Sequence, residues 1–208
     1  MEEKTLDLNL PITLSDLTRF LIFASLSILS FFVPFSFGHP QWLVGTIVNT
    51  CLFLAAVFLS RCPANTGHRG SSISEKLKSG PKKYLYFLPM VILPSLGVLA
   101  RGIIFGPFTF FLVYLLPFIW LSNLILILTF KALFSKAKYI PSVFFASVVK
   151  FLFLFAVANI CFNFHLVPKL FLQTMGSFQL LTALSGGLIS WIIFKLYGEY
   201  NTRNKRIT

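Results

Sequence analysis

Apolar residues in this chain come in long unbroken runs, not in alternation with polar ones. Six runs, about Leu17–Phe37, Trp42–Ser60, Tyr84–Ala100, Phe108–Phe130, Pro141–Asn163 and Leu170–Tyr197, are parted by short polar gaps. A helix needs ~20 mostly apolar residues to cross a bilayer, whereas a membrane β-strand alternates with period two. Hydrocarbon offers no water to the backbone, so a continuous apolar run satisfies its N–H and C=O groups by coiling into a helix. The pattern predicts an all-α membrane protein with six transmembrane helices in one bundle. Residues 1–16 form a polar lead, 17–197 the membrane domain with a basic loop at 61–83, and 198–208 a basic tail. Ser15 and Asp16 are candidates to cap the first helix. Pro89 and Pro94 predict a kinked third helix, and Pro141 suits the first turn of the fifth. The acidic start Met1-Glu2-Glu3 and the poor cleavage site at Gly38-His39-Pro40 mark the first run as a retained helix, not a signal peptide.

Composition agrees with the pattern. The 208 residues are 56% hydrophobic and only 12% charged, against about 25% charged in soluble domains, and mean hydropathy is +0.82. All six carboxylates (Glu2, Glu3, Asp7, Asp16, Glu75, Glu199) fall outside the runs. The net charge of +12 does not point to nucleic acid, because the bases flank apolar runs as topology signals do. Fifteen of the eighteen Lys and Arg lie in the lead, the 61–83 loop, the 131–139 gap and the C-terminal end, all on one side of the predicted bundle. Both termini and the long loop are therefore expected in the cytoplasm of a multi-pass plasma-membrane protein.

Three bases break that rule. Arg101 and Lys169 stand at the mouths of the two opposite turns, and Lys150 stands within the fifth run. A lysine mid-helix costs ~2.5–3.5 kcal/mol on insertion scales. Snorkelling to either helix end would need to span about nine to a dozen residues at ~1.5 Å each. Such a lysine either sheds its proton or lines a cavity. The other polar residues within runs are Asn49 in the second, Asn123 in the fourth and Gln179 in the sixth. Gly176, Gln179, Ala183, Gly186 and Ser190 make a stripe of small and polar residues down the sixth run, and Gly45 with Asn49 a shorter one on the second. Such stripes let helices approach closely, and packing is the favoured reading of Gly186 and Ser190. For Asn49 and Gln179 an interhelical hydrogen bond explains the position as well as a ligand does.

Reaction chemistry is hard to place. Cys51, Cys62 and Cys161 are scattered, as are His39, His68 and His165, so neither a zinc site nor an iron–sulfur cluster has its ligands. No buried carboxylate exists to run a proton or sodium relay, and no G-x-S-x-G or nucleotide-binding loop occurs. No catalytic residue, metal or cofactor is assigned. A membrane enzyme acting on lipid or prenyl groups would need a nucleophile or metal set that the chain lacks. A structural or assembly subunit, its polar residues merely knitting helices together, needs none.

Five stretches carry a resemblance: Gly45-Thr46-Ile47-Val48-Asn49, Leu93-Pro94-Ser95 through Arg101-Gly102, Leu116-Pro117-Phe118-Ile119-Trp120-Leu121-Ser122-Asn123, Val149-Lys150-Phe151, and Gly176 through Ala183. In this order and spacing they resemble the substrate-binding (S) components of energy-coupling factor (ECF) transporters, in particular members whose ligand is unassigned. The resemblance implies a six-helix bundle with both termini cytoplasmic and a pocket opening outward. It also implies a transmembrane coupling subunit and two cytoplasmic ATPases as partners. On this reading the chain does no chemistry. Arg101, Lys150 and Lys169 are expected to attract a small anionic or carbonyl-rich metabolite or vitamin, and Asn49, Asn123 and Gln179 to orient it by hydrogen bonds in a low-dielectric pocket.

Overall fold

Each apolar run that the computed structural model describes is helical, its backbone bonds closed within the segment. The described residues are 16–36, 41–60, 88–102, 109–134 and 138–207. They form α1 (Asp16–Ser36), α2 (Gln41–Ser60), α3 (Leu88–Arg101), α4 (Thr109–Phe134), α5 (Tyr139–Asn163), α6 (Leu170–Met175) and α7 (Ser177–Ile207), with no strand among them. The polar lead, the 61–83 loop and the turn after Gly102 lie outside the described residues, as do the side chains of Asp16 and Arg101.

Three helical stretches, Phe110–Phe134, Tyr139–Asn163 and Leu170–Tyr197, are long and apolar enough to cross a membrane. The apolar parts of α1, α2 and α3 are shorter, at Leu21–Ser36, Trp42–Val57 and Leu88–Ala100. Large apolar side chains face outward along the bundle, among them Phe110 at 67% exposure, Phe145 at 57% and Leu152 at 56%. A water-soluble surface does not carry so much contiguous apolar area, so these faces belong against lipid.

The sixth run departs from expectation. It is not one helix from Leu170 to Tyr197: α6 ends at Met175, and Gly176 turns the chain with φ −94° and ψ −113° before α7 begins. A Cβ on Gly176 would lie 2.5 Å from the Leu172 carbonyl oxygen and 3.0 Å from the Phe155 ring. Glycine is what lets the turn fit against α5. At its other end α7 continues to Ile207, through residues expected to be a separate tail, because no proline interrupts it. The α5 end is closed as a Schellman turn. Leu166 N–H donates to Cys161 O and His165 N–H to Phe162 O, with His165 in the left-handed region at φ 57°.

α2 packs chiefly on α7, α1 on α3, and α4 on α5, while α7 also packs on α5. Two apolar cores result. One joins the C-terminal halves of α2 and α4 to the start of α5, through Leu52, Phe53, Ile127, Phe130 and Ala146. The other joins the start of α4 to the end of α5 and to α6, through Leu112, Leu115, Leu154, Ala158 and Phe171. At the first core Tyr139 sits against Phe130, Phe134 and Phe194 and donates its hydroxyl to Ser190 Oγ at 2.9 Å. Between the cores, α2, α4 and α5 each contribute one large polar side chain: Asn49, Asn123 and Lys150.

Candidate functional site

Lys150 lies eleven residues after Tyr139 and thirteen before Asn163 in α5, so roughly 16 and 20 Å from the helix ends at ~1.5 Å per residue. Its face of α5, with Ala146, Ser147 and Leu154, is buried, and only 3% of the residue is exposed. The side chain does not snorkel. Its Nζ donates to Asn49 Oδ1 at 2.7 Å and to Asn123 Oδ1 at 2.8 Å, distances in the range of charge-assisted bonds. Among the described residues it has no third partner, and two amide dipoles and no carboxylate hold the amine.

Both amides are themselves braced. Asn49 Nδ2 donates to Gly45 O at 2.9 Å, one turn back on α2, and to Thr182 Oγ1 at 3.2 Å on α7. The side chain can sit there because Gly186 brings the two backbones together. A Cβ on Gly186 would lie 2.8 Å from Asn49 Cβ, Thr46 O and Thr50 N. Asn123 Nδ2 donates to Val91 O at 3.4 Å on α3. One turn on, Trp120 Nε1 donates to Ser95 Oγ at 2.6 Å, tying α4 to α3 again.

Beside Lys150 is a cavity of about 110 Å³, several times the 10–15 Å³ that admit one water. Asn49, Asn123, Lys150 and Gln179 all line it, joined by Ser95, Thr174 and Thr182 and by apolar walls that include Val48, Val98 and Ile119. The helices line it from the level of Lys150 toward one end of the bundle, where α3 and α5 end and α2, α4 and α7 begin. Gln179 is half-buried, and its side-chain amide has no partner among the described residues. Lys150 retains one N–H of three. Asn49, by contrast, has both N–H donors engaged and its oxygen on Lys150.

Four of the six residues expected to bind a ligand thus come together. Lys169 does not join them. It is exposed at the start of α6, outside the cavity lining. Arg101 ends α3, and its side chain lies outside the described ones. Thr182 and Ser95 were not singled out from the sequence. Thr182 lies one turn from Gln179, next to stripe residue Ala183, and that spacing was the available signal. Among the described residues no three His, Cys, Asp or Glu side chains gather as a metal site would require.

The fold and site together define an all-helical membrane protein with a small, mostly apolar cavity that has a buried lysine and its amide partners in its wall. Compared with family models, with curated proteins and with solved structures, the chain has no match.

Proposed function

We propose that the chain is the membrane-embedded substrate-capture subunit of an ECF-type importer for a small anionic or polar metabolite. Six membrane-crossing helices would place both termini in the cytoplasm, where fifteen of eighteen bases then lie. The cavity would open to the outer side. A transmembrane coupling subunit and cytoplasmic ATPases would drive release, and the protein itself performs no bond chemistry.

The observation that carries this reading is the void beside Lys150. A lysine tied off for packing alone needs no space next to it. Here about 110 Å³ adjoins the amine and an unpartnered glutamine. The volume is small beside the roughly 300–1,000 Å³ of drug-sized sites, which favours a compact ligand. The test is mass spectrometry of small molecules released on denaturing the detergent-purified protein. Wild type is expected to release one compound in near-stoichiometric amount, and Lys150→Met to release at most a tenth of it. Equal release from both proteins, or none from either, would remove the basis of the proposal.

One observation favours a second reading. Asn49 and Asn123 both donate to backbone carbonyls, of Gly45 and Val91, as they would in a structural or assembly subunit without a ligand of its own. That reading predicts empty protein in the same measurement.

A further inference from the structure

Resting on the capture reading above, we propose that the ligand is a small monocarboxylate with an apolar body and no second charge. Among the described residues the cavity lining has one basic side chain, Lys150, and no acidic one. Its amine donates to two neutral amide oxygens, which orient the charge without cancelling it. A single negative charge entering the cavity supplies the missing counter-ion. One carboxylate oxygen accepts the remaining Lys150 N–H, and the other accepts from the Gln179 amide, which has no partner among the described residues.

The same lining rejects neighbouring classes. A zwitterionic amino acid brings an ammonium, for which the lining provides no carboxylate. A dicarboxylate or phosphate dianion brings a second negative charge where, among the described side chains, no second base faces the cavity. Lys169 is exposed and lies outside it. An unpaired charge in a low-dielectric site is strongly disfavoured. A neutral amide fits the volume but leaves the lysine uncompensated. Away from the amine the walls are Val44, Val48, Val98, Leu112, Ile119 and Phe178, which suits an aliphatic or aromatic body of modest size.

The full-length protein in detergent is titrated with benzoate and hexanoate, and with benzamide, norleucine and adipate as matched probes of other charge. Trp120, which donates to cavity-lining Ser95, provides a fluorescence readout, with thermal shift as a second. Benzoate or hexanoate is expected to bind at least tenfold more tightly than benzamide, norleucine or adipate. Lys150→Met is expected to lose that preference. Gln179→Leu, which breaks no hydrogen bond among the described residues, is expected to weaken carboxylate binding several-fold at unchanged melting temperature, so the site stays testable if Lys150→Met fails to fold. Benzamide binding as tightly as benzoate, tighter binding of adipate or norleucine, or carboxylate binding undiminished in Gln179→Leu would each overturn the proposal. A neutral or zwitterionic compound released from purified protein would overturn the ligand class and leave the capture reading standing. No probe binding together with no released compound would overturn both.

Discussion

Removing Asn49 tests whether the lysine is held as the geometry indicates. Asn49→Ala deletes the acceptor 2.7 Å from Lys150 Nζ and the donor to Thr182 Oγ1. Hydrogen bonds to charged groups contribute about 1.5–3 kcal/mol, while those within membrane bundles average nearer ~0.6 kcal/mol because the unfolded reference also finds partners. Stripping a buried charge of its only partner costs ~3–5 kcal/mol, but Lys150 keeps Asn123, and the adjoining cavity admits a water to replace the lost oxygen. A cost of about 2 kcal/mol follows. In a Lys150→Met background the charged bond no longer exists, and Asn49→Ala should cost no more than about 0.5–1 kcal/mol, from Thr182 and lost packing. The cycle therefore predicts a coupling of about 1–1.5 kcal/mol. It is measured by reversible unfolding in mixed micelles, followed by tryptophan fluorescence and circular dichroism. Additivity within ~0.3–0.5 kcal/mol, the range for independent sites, would show that Asn49 does not hold the amine.

Five further outcomes are expected. Gly186→Ala places a methyl 2.8 Å from backbone atoms of Thr46 and Thr50 that cannot rotate away, so denaturation should show a loss of about 1–3 kcal/mol. Gly102→Ala meets nothing within 4 Å, and only its φ of +65° disfavours it, by about 1 kcal/mol. Tyr139→Phe leaves buried Ser190 without its donor and should cost about 1–2 kcal/mol, most of it recovered in the Tyr139→Phe, Ser190→Ala double variant if the hydrogen bond is the cause. Lys169→Ala, altering an exposed residue outside the cavity, should leave the compound released from purified protein unchanged in identity and amount. A fluorescent protein fused after Thr208 should fluoresce and an alkaline phosphatase there stay inactive, as a cytoplasmic C-terminus requires; active phosphatase would reverse the charge-based orientation.

A polar residue within an apolar run is visible in sequence because the bilayer penalises it. Asn49, Asn123, Lys150 and Gln179 could be picked out for that reason, and all four line one cavity. Their pairings were not visible. Lys150 and Asn49 are 101 positions apart, and no periodicity links residues on different helices. Hydropathy also hid the break at Gly176, because the run stays apolar on average through it and the close approaches to Leu172 O and the Phe155 ring belong to the folded packing. Counting charges placed Lys169 at a cavity mouth, yet charge position along a chain fixes depth, not direction. The pairings change what the amides do. Asn49 was expected to orient a ligand, but both of its N–H donors are taken by Gly45 and Thr182 and its oxygen receives Lys150. It positions the amine and has no donor left to offer. On the capture reading, recognition then falls to the last N–H of Lys150, the second N–H of Asn123 and Gln179. If so, an Asn49 variant should weaken binding only by letting the lysine move, while a Gln179 variant should change which head group is preferred.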